Sequence, residues 1–306
     1  NEDDHVFGLS AAKKYGGIYV PANQAVIHQY AREMMVKCGN MILGSDSHTR
    51  YGSLGNMGVG EGGGELVKQL LKNTWDINAP EVVLVWLEGA PKKGIGPHDV
   101  AISLVKATFE SGVVKNKVLE FAGPGVKNLP IDFRNGIDIM TTETTCLSSI
   151  WITDDEVKHH YEIHDRPQDY RELKPGDVAY YDMMIRIDLS TQESMIALPF
   201  HPSNAVTIHE LQADPVGILT RIEEDAKKRF GDKVDVHLVD KVVDGKVQAD
   251  QGIIAGCSGG TYDNLAEAAA ILKGKNIGND YFTASAYPQS TPVSMAVTRE
   301  GITADL

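Results

Sequence analysis

Apolar positions along the chain change spacing repeatedly, and each change predicts an element. In QAVIHQYAREMMVK (24–37), Val26, Tyr30, Ala31 and Met34 share one helical face with basic residues opposite, which predicts an amphipathic helix. Asn40 to Ser45 reads as a short buried strand, and a glycine-rich loop follows it. Glu65 to Trp75 returns to helical spacing with Leu66, Leu70 and Leu71 as its stripe. VVLVWLE (82–88) is a strand. Pro97 opens a helix with Val100, Leu104, Val105 and Phe109 on its apolar face, closed by Gly112. VLEFAGPG (118–125) is a strand ending in a turn, and MMIRIDL (183–189) is another strand. Residues 154–182 are polar and charged, a surface excursion. Asp214-Pro215 caps a helix that turns Ile218, Leu219, Ile222 and Phe230 inward. VDVHLV (234–239), GIIAG (252–256) and YFTASAY (281–287) are strands, with helices at 263–273 and from Pro292. Strands alternating with helices predict an α/β fold with parallel or mixed sheets, divided into domains at 1–79, 80–213 and 214–306.

Composition narrows the field. The chain has 306 residues, 42% hydrophobic and 23% charged, enough for two or three domains with real cores. With 42 acidic against 29 basic residues its formal charge is −13, which argues against a nucleic-acid partner. No apolar run approaches the roughly 20 residues of a membrane-spanning helix. The opening NEDDHVFGLS is acidic, unlike the basic start of a signal peptide. The three cysteines, Cys38, Cys146 and Cys257, are far apart and form no CxxC, so a reducing, cytoplasmic setting is expected rather than a disulfide framework.

Candidate chemistry concentrates in a few stretches. MILGSDSHTRYGSLGNMGVGEGGGE (41–65) holds Asp46, Ser47 and His48 followed by most of its eight glycines. It is either a surface loop or a pocket where main chain approaches a ligand; no Gly-Lys-Ser/Thr ends it, so it is not a phosphate-binding P-loop. A carboxylate beside an imidazole fixes the tautomer and raises the ring's pKa, which suits Asp46 and His48 to proton transfer or to a structural pair. His28 lies on the helix before. With His28, the two could also ligate a single metal ion. Glu143, in MTTETTC, is an exposed loop acid or a buried one that needs a partner. Cys257 follows an apolar strand and precedes a helix, a place for a ligand or nucleophile or for a small residue in a tight turn. Cys38 and Cys146 read as packing or incidental surface residues, and His159, His160 and His164 as part of a solvated face.

Together these stretches resemble the aconitase and isopropylmalate isomerase superfamily of hydro-lyases. The carriers are IHQ (27–29), GSDSHT (44–49), the glycine run (52–64), EFAGPG (120–125), MTTE (140–143) and AGCSGGTYDNL (255–265), in the family's order. The likeness is strongest to aconitase-like bacterial hydratases. It implies aconitase-like α/β/α domains and two carboxylate–histidine couples, Asp46 with His28 and Glu143 with His48. Ser47 and Gln29 would touch substrate. Cys257 would match the first of three cysteines holding a [4Fe-4S] cluster, whose open iron acts as a Lewis acid on a hydroxylated di- or tricarboxylic acid.

Departures accompany the likeness. The cysteine segment is AGCSGG where the family usually has GSCTNS, Ile139 stands where aconitases place an asparagine, and Arg50 replaces a proline after DSHT. The two further cluster cysteines and the swivelling domain with its substrate-binding arginines are not found. The expectation is therefore an internal fragment of a hydratase, inactive alone with its cluster incomplete or absent. The alternative is a non-catalytic aconitase-fold protein with a binding role. Neither oligomeric state nor the particular hydroxy acid is legible.

Overall fold

The computed structural model describes residues 2–278 and 281–306. These divide into two compact units, the first drawn from residues 2–35, 253–278 and 284–306, the second from 36–252 and 281–283. The first begins with helices α1 (Glu2–Tyr15) and α2 (Ile27–Met34). The expected apolar face of α2 is met only in part: Ala31 is buried and Val26 and Tyr30 are half-buried, but Met34 is exposed, and the burial extends instead over the polar His28, Gln29, Arg32 and Glu33. Polar side chains survive there because they bond one another: Gln29 Nε2 donates to Glu33 Oε1 at 2.8 Å, and Ser290 Oγ donates to the same oxygen at 2.8 Å.

The second unit opens with β1 (Met41–Gly44) and β2 (Met57–Gly60), paired in parallel with Met41 opposite Met57 and Gly44 opposite Gly60. The glycine stretch is thus not one loop. It holds a turn, a short 3-10 helix at Gly52–Leu54 and a strand. Nor is β1 a buried strand, since Met41 is half exposed. Helix α3 (Gly63–Leu70) stops well before Trp75, because Lys72 turns into the left-handed region at φ 60°; Leu70 and Leu71 lie exposed.

Next come β3 (Val82–Glu88), α4 (Pro97–Thr108), β4 (Val118–Ala122), α5 (Ile131–Met140), β5 (Ser148–Trp151), α6 (Asp155–Ile163) and β6 (Met183–Asp188). The four strands form one parallel sheet in the order β5-β4-β3-β6. Parallel neighbours need crossovers, which the helices between them supply. Val83, Val85 and Leu87 alternate along β3 onto one face and meet Val100 and Leu104 of α4, Leu119 and Phe121 of β4, Ile137 of α5 and Trp151 of β5 in the main core. Phe121 and Trp151 stack with ring centres 4.2 Å apart. Residues 154–182 are not merely a surface excursion. Asp154 caps α6 and is gripped by the wholly buried Arg134 at 2.8 and 2.7 Å, while Val157, His160 and Tyr161 are buried. His160 therefore leaves the solvated face assigned to it.

The unit continues through β7 (Met195–Ala197) and β8 (Ala205–Thr207), antiparallel, then α7 (Ile208–Ala213) and α8 (Pro215–Phe230). Asp214 caps α8 by accepting the Gly217 N–H at 2.9 Å. Ile218 and Leu219 are buried as expected, but Phe230 is 40% exposed at the helix end. Residues 234–238 form no strand; a two-residue hairpin, β9 (Val242–Val243) with β10 (Lys246–Val247), follows instead.

The chain then returns to the first unit through β11 (Gln251–Ile254), α9 (Gly256–Gly259), α10 (Tyr262–Leu272), β12 (Thr283–Ala286), α11 (Thr291–Arg299) and α12 (Ile302–Asp305), with β11 and β12 paired. Thr261 and Ser290 cap α10 and α11 through their hydroxyls.

Candidate active site

The turn after β1 is built from its own polar groups. The Asp46 carboxylate accepts the His48 N–H at 2.7 Å, and the Asp46 carbonyl accepts the Thr49 hydroxyl at 2.7 Å. This Asx turn lifts Ser47 to an exposed apex and aims His48 back over the unit. Two of the glycines, Gly44 and Gly60, serve the turn itself. A Cβ at Gly60 would sit 2.3 Å from the Asp46 carbonyl oxygen, and one at Gly44 would sit 2.3 Å from Thr49 Oγ1, so only glycine lets the turn settle onto β1 and β2.

Glu143 comes from the single 3-10 turn Thr141–Thr144 between α5 and β5. Thr145 N–H and C=O tie this turn to Thr142 and to Asn116 just before β4, at the amino edge of the sheet. Doubly wound sheets usually take ligands at the opposite edge, so the four-stranded sheet is a platform here and not the cleft. Arg50, buried, donates to Thr49 O at 3.2 Å, Gly58 O at 3.4 Å and Cys146 O at 3.1 Å, stitching the His48 turn to the Glu143 turn. Across that stitch His48 Nε2 lies 3.5 Å from Glu143 Oε1. The second Glu143 oxygen faces another imidazole, with His201 Nε2 at 3.8 Å from Oε2.

The carboxylate therefore sits between two rings. Its pKa falls below the usual 4.5, chiefly through the hydrogen bond from His48; partial burial opposes this, and the charges of His48 and His201 add to it. His201 follows β7 in the segment Pro199–Ser203 and stacks on Phe109, with ring centres 3.7 Å apart. Sequence reasoning passed it over. The signal was PFHPSN, where prolines on both sides stiffen the main chain that presents a histidine.

His28, Gln29 and Cys257 belong to the first unit. His28 is buried on α2, and the Gln29 amide nitrogen is engaged by Glu33. Cys257 is half-buried in α9, directly after Gly256, which turns the chain at φ 83°. In the second unit both remaining thiols point into the core. Cys38 Sγ donates to Leu54 O and Cys146 Sγ to Thr141 O, each at 3.3 Å, and burial pushes the Cys38 thiol up. Among the described residues no three His, Cys, Asp or Glu side chains gather as a metal site. One half-buried thiol with two core thiols does not fit the ligand set of a [4Fe-4S] cluster.

Chemically, the gathered group Asp46–His48–Glu143–His201 can hold and move one proton. The carboxylate can hold a proton on His48 Nε2 and balance charge on the ring; this is the geometry of an oriented general acid–base.

Comparison with known proteins agrees with the resemblance in the sequence. The model of the aconitase family (aconitate hydratase) matches residues 1–306. The 3-isopropylmalate dehydratase large subunit of Elusimicrobium minutum is 27% identical over 293 residues, covering 95% of this chain and 62% of that protein. The mitochondrial aconitate hydratase of Schizosaccharomyces pombe is 27% identical over 313 residues, 98% of this chain and 36% of that protein. Aconitase htyD of Aspergillus rugulosus is 31% identical over 215 residues, 67% of this chain and 24% of that protein. The chain thus spans less than two thirds of the length of each of these relatives. A parallel sheet flanked by helices, the oriented His48–Glu143 couple and a match along the whole length lead to one assignment: the chain belongs to the aconitase family.

Proposed function

We propose that this chain is part of an aconitase-like hydro-lyase that adds water to, or removes it from, a hydroxylated di- or tricarboxylic acid. The observation that carries the reading is the Glu143 carboxylate lying against His48 Nε2 at the foot of the Asp46–Ser47–His48 turn. Dehydration of a hydroxy acid requires a proton to leave carbon and another to reach the departing oxygen. The His48 imidazole is the group of this chain suited to deliver or accept that second proton, with Glu143 balancing the charge that forms on the ring. Asp46 holds the His48 main chain, and Ser47, exposed at the turn, would touch substrate. His28, paired with Asp46, would form the other couple, with Gln29 as a further substrate contact. Cys257 is the thiol of this chain that would match a cluster cysteine of the family. The division at 79/80 and 213/214 and a cytoplasmic setting are part of this reading. No helix among the described residues is long and apolar enough to cross a membrane.

The test is turnover by the full-length protein on hydroxylated di- and tricarboxylic acids, read as ultraviolet absorbance of the conjugated alkene. Loss of a general acid–base contribution predicts a fall in kcat of roughly 10²–10⁴-fold for His48→Gln and Glu143→Gln. Turnover unchanged in both folded variants would overturn the proposal, and no turnover by the wild type on any such acid would favour a non-catalytic binding protein.

A further inference from the structure

The carboxylate of Glu143 is suspended between two imidazoles, at 3.5 Å from His48 Nε2 and 3.8 Å from His201 Nε2, and closes fully onto neither. The His201 ring is fixed in three ways. Its face stacks on Phe109 at 25° between planes. Its Nδ1 lies 3.1 Å from the Ser203 main-chain nitrogen, whose N–H can only donate, so Nδ1 accepts and the ring proton resides on Nε2. The Ser203 hydroxyl, 3.0 Å from Nδ1, adds to that grip. The protonated nitrogen, Nε2, carried on the β7–β8 connection, lies 3.8 Å from Glu143 Oε2. We infer that His201 is a positioning residue of this site: it holds the Glu143 carboxylate back from His48, so that the couple stays loose enough for His48 to both take and give a proton.

The other charged groups on elements packed against the Glu143 turn are occupied elsewhere. On α4, Asp99 accepts the N–H groups of Gly96 and Met195 at 2.7 and 2.6 Å, Lys106 is exposed, and burial pushes His98 down. On α5, Arg134 holds Asp154, and Asp138 accepts from Ser149 and Trp151, while Asp132 starts the helix. Strand β5 carries no charge. On the His48 turn itself, Asp46 binds the His48 N–H and Arg50 binds carbonyls. His201 is the side chain whose donor nitrogen faces Oε2.

This inference rests on the hydro-lyase reading for its purpose, but its test needs no turnover. Long-range ¹H–¹⁵N spectra of the ¹⁵N-histidine-labelled, substrate-free chain report the tautomer of His201 and the titration of His48. The wild type shows His201 with the proton on Nε2. His201→Leu, which keeps an apolar body against Phe109, shifts the His48 midpoint upward by roughly half a pH unit as Glu143 closes onto it. His201→Gln, whose amide nitrogen can stand near Nε2, returns it toward the wild-type value. A proton on Nδ1 of wild-type His201 would overturn the inference without any variant. So would a His48 midpoint that does not rise in His201→Leu, or equal shifts in the leucine and glutamine variants. Each of these results leaves the hydro-lyase reading intact, since that is judged by turnover.

Discussion

Replacing Glu143 with glutamine removes a negative charge while keeping the side chain's shape, and the structure sets the size of the consequence. The charge lies 3.5 Å from His48 Nε2. At that separation Coulomb's law gives about 1.2 kcal/mol in water and about 4.7 kcal/mol at an effective dielectric of 20. The two side chains are 36% and 28% exposed, so solvent screens much of the field and the lower part of that range applies. An interaction of about 1–2 kcal/mol corresponds to a fall of roughly one pH unit in the His48 midpoint, at about 1.4 kcal/mol per unit. The assay is an NMR titration of His48 in the wild type and the glutamine variant, in low salt. Salt dependence is part of the prediction, because a half-exposed pair weakens as the Debye length shortens. A midpoint that agrees within the error of the titration in the two proteins would refute the couple, since no other change of comparable charge is introduced.

The Glu143 carboxyl is lowered below 4.5 by its neighbours, so the couple's contribution to stability is present above that value and disappears as pH falls through the folded-state value; denaturant midpoints of wild type and Glu143→Gln should converge on acidification below pH 4.5. Arg134→Met leaves Asp154 without its two bonds to a wholly buried guanidinium and should cost about 3 kcal/mol in chemical denaturation; Asp154→Asn added to it should cost much less than its own single effect. Gly60→Ala forces a Cβ onto the Asp46 carbonyl and should move the His48 resonances; a variant with unchanged His48 shifts would show that the turn does not rest on β2 as described. Tyr181, pushed up to about 12 by burial and by its bond to Glu120, should ionise earlier in Glu120→Gln, measured by ultraviolet titration.

Much of the fold was legible because the parallel sheet leaves strong periodic signals. Val83, Val85 and Leu87 alternate on β3, Pro97 opens α4, and Asp214 with Pro215 opens α8, each a local rule that the surroundings obey. Where local rules failed, polar side chains had found partners that composition does not reveal. Helix α2 buries Gln29 and Glu33 because they bond each other and Ser290, remote in sequence. The 154–182 segment looked solvated because its charges are visible one at a time, whereas Arg134 reaches Asp154, and Arg166 pairs with Asp169, inside the structure. VDVHLV alternates like a strand yet pairs with no strand among the described residues, and alternation alone cannot supply a ladder.

The site shows the same split. Motif-like stretches pointed to Asp46, Ser47, His48 and Glu143, and the structure sets His48 Nε2 3.5 Å from Glu143 Oε1. Two contributors were not. The role of Arg50 depends on three carbonyls from separate segments, and His201 lies 58 residues beyond Glu143, so no spacing rule ties them. The glycines read as a surface loop or as room for a ligand, but at Gly44 and Gly60 the close neighbour is the protein's own turn.

The central claim is that His48 and Glu143 act as one proton-handling unit, and a double-mutant cycle on turnover tests it most directly. In the full-length protein kcat is measured for wild type, His48→Gln, Glu143→Gln and the double variant. Groups that work as a unit lose their effect together, so the double variant is expected to be no slower than the slower single one, within a few-fold. Losses that multiply, with the double variant slower by the product of the two single effects, would contradict it.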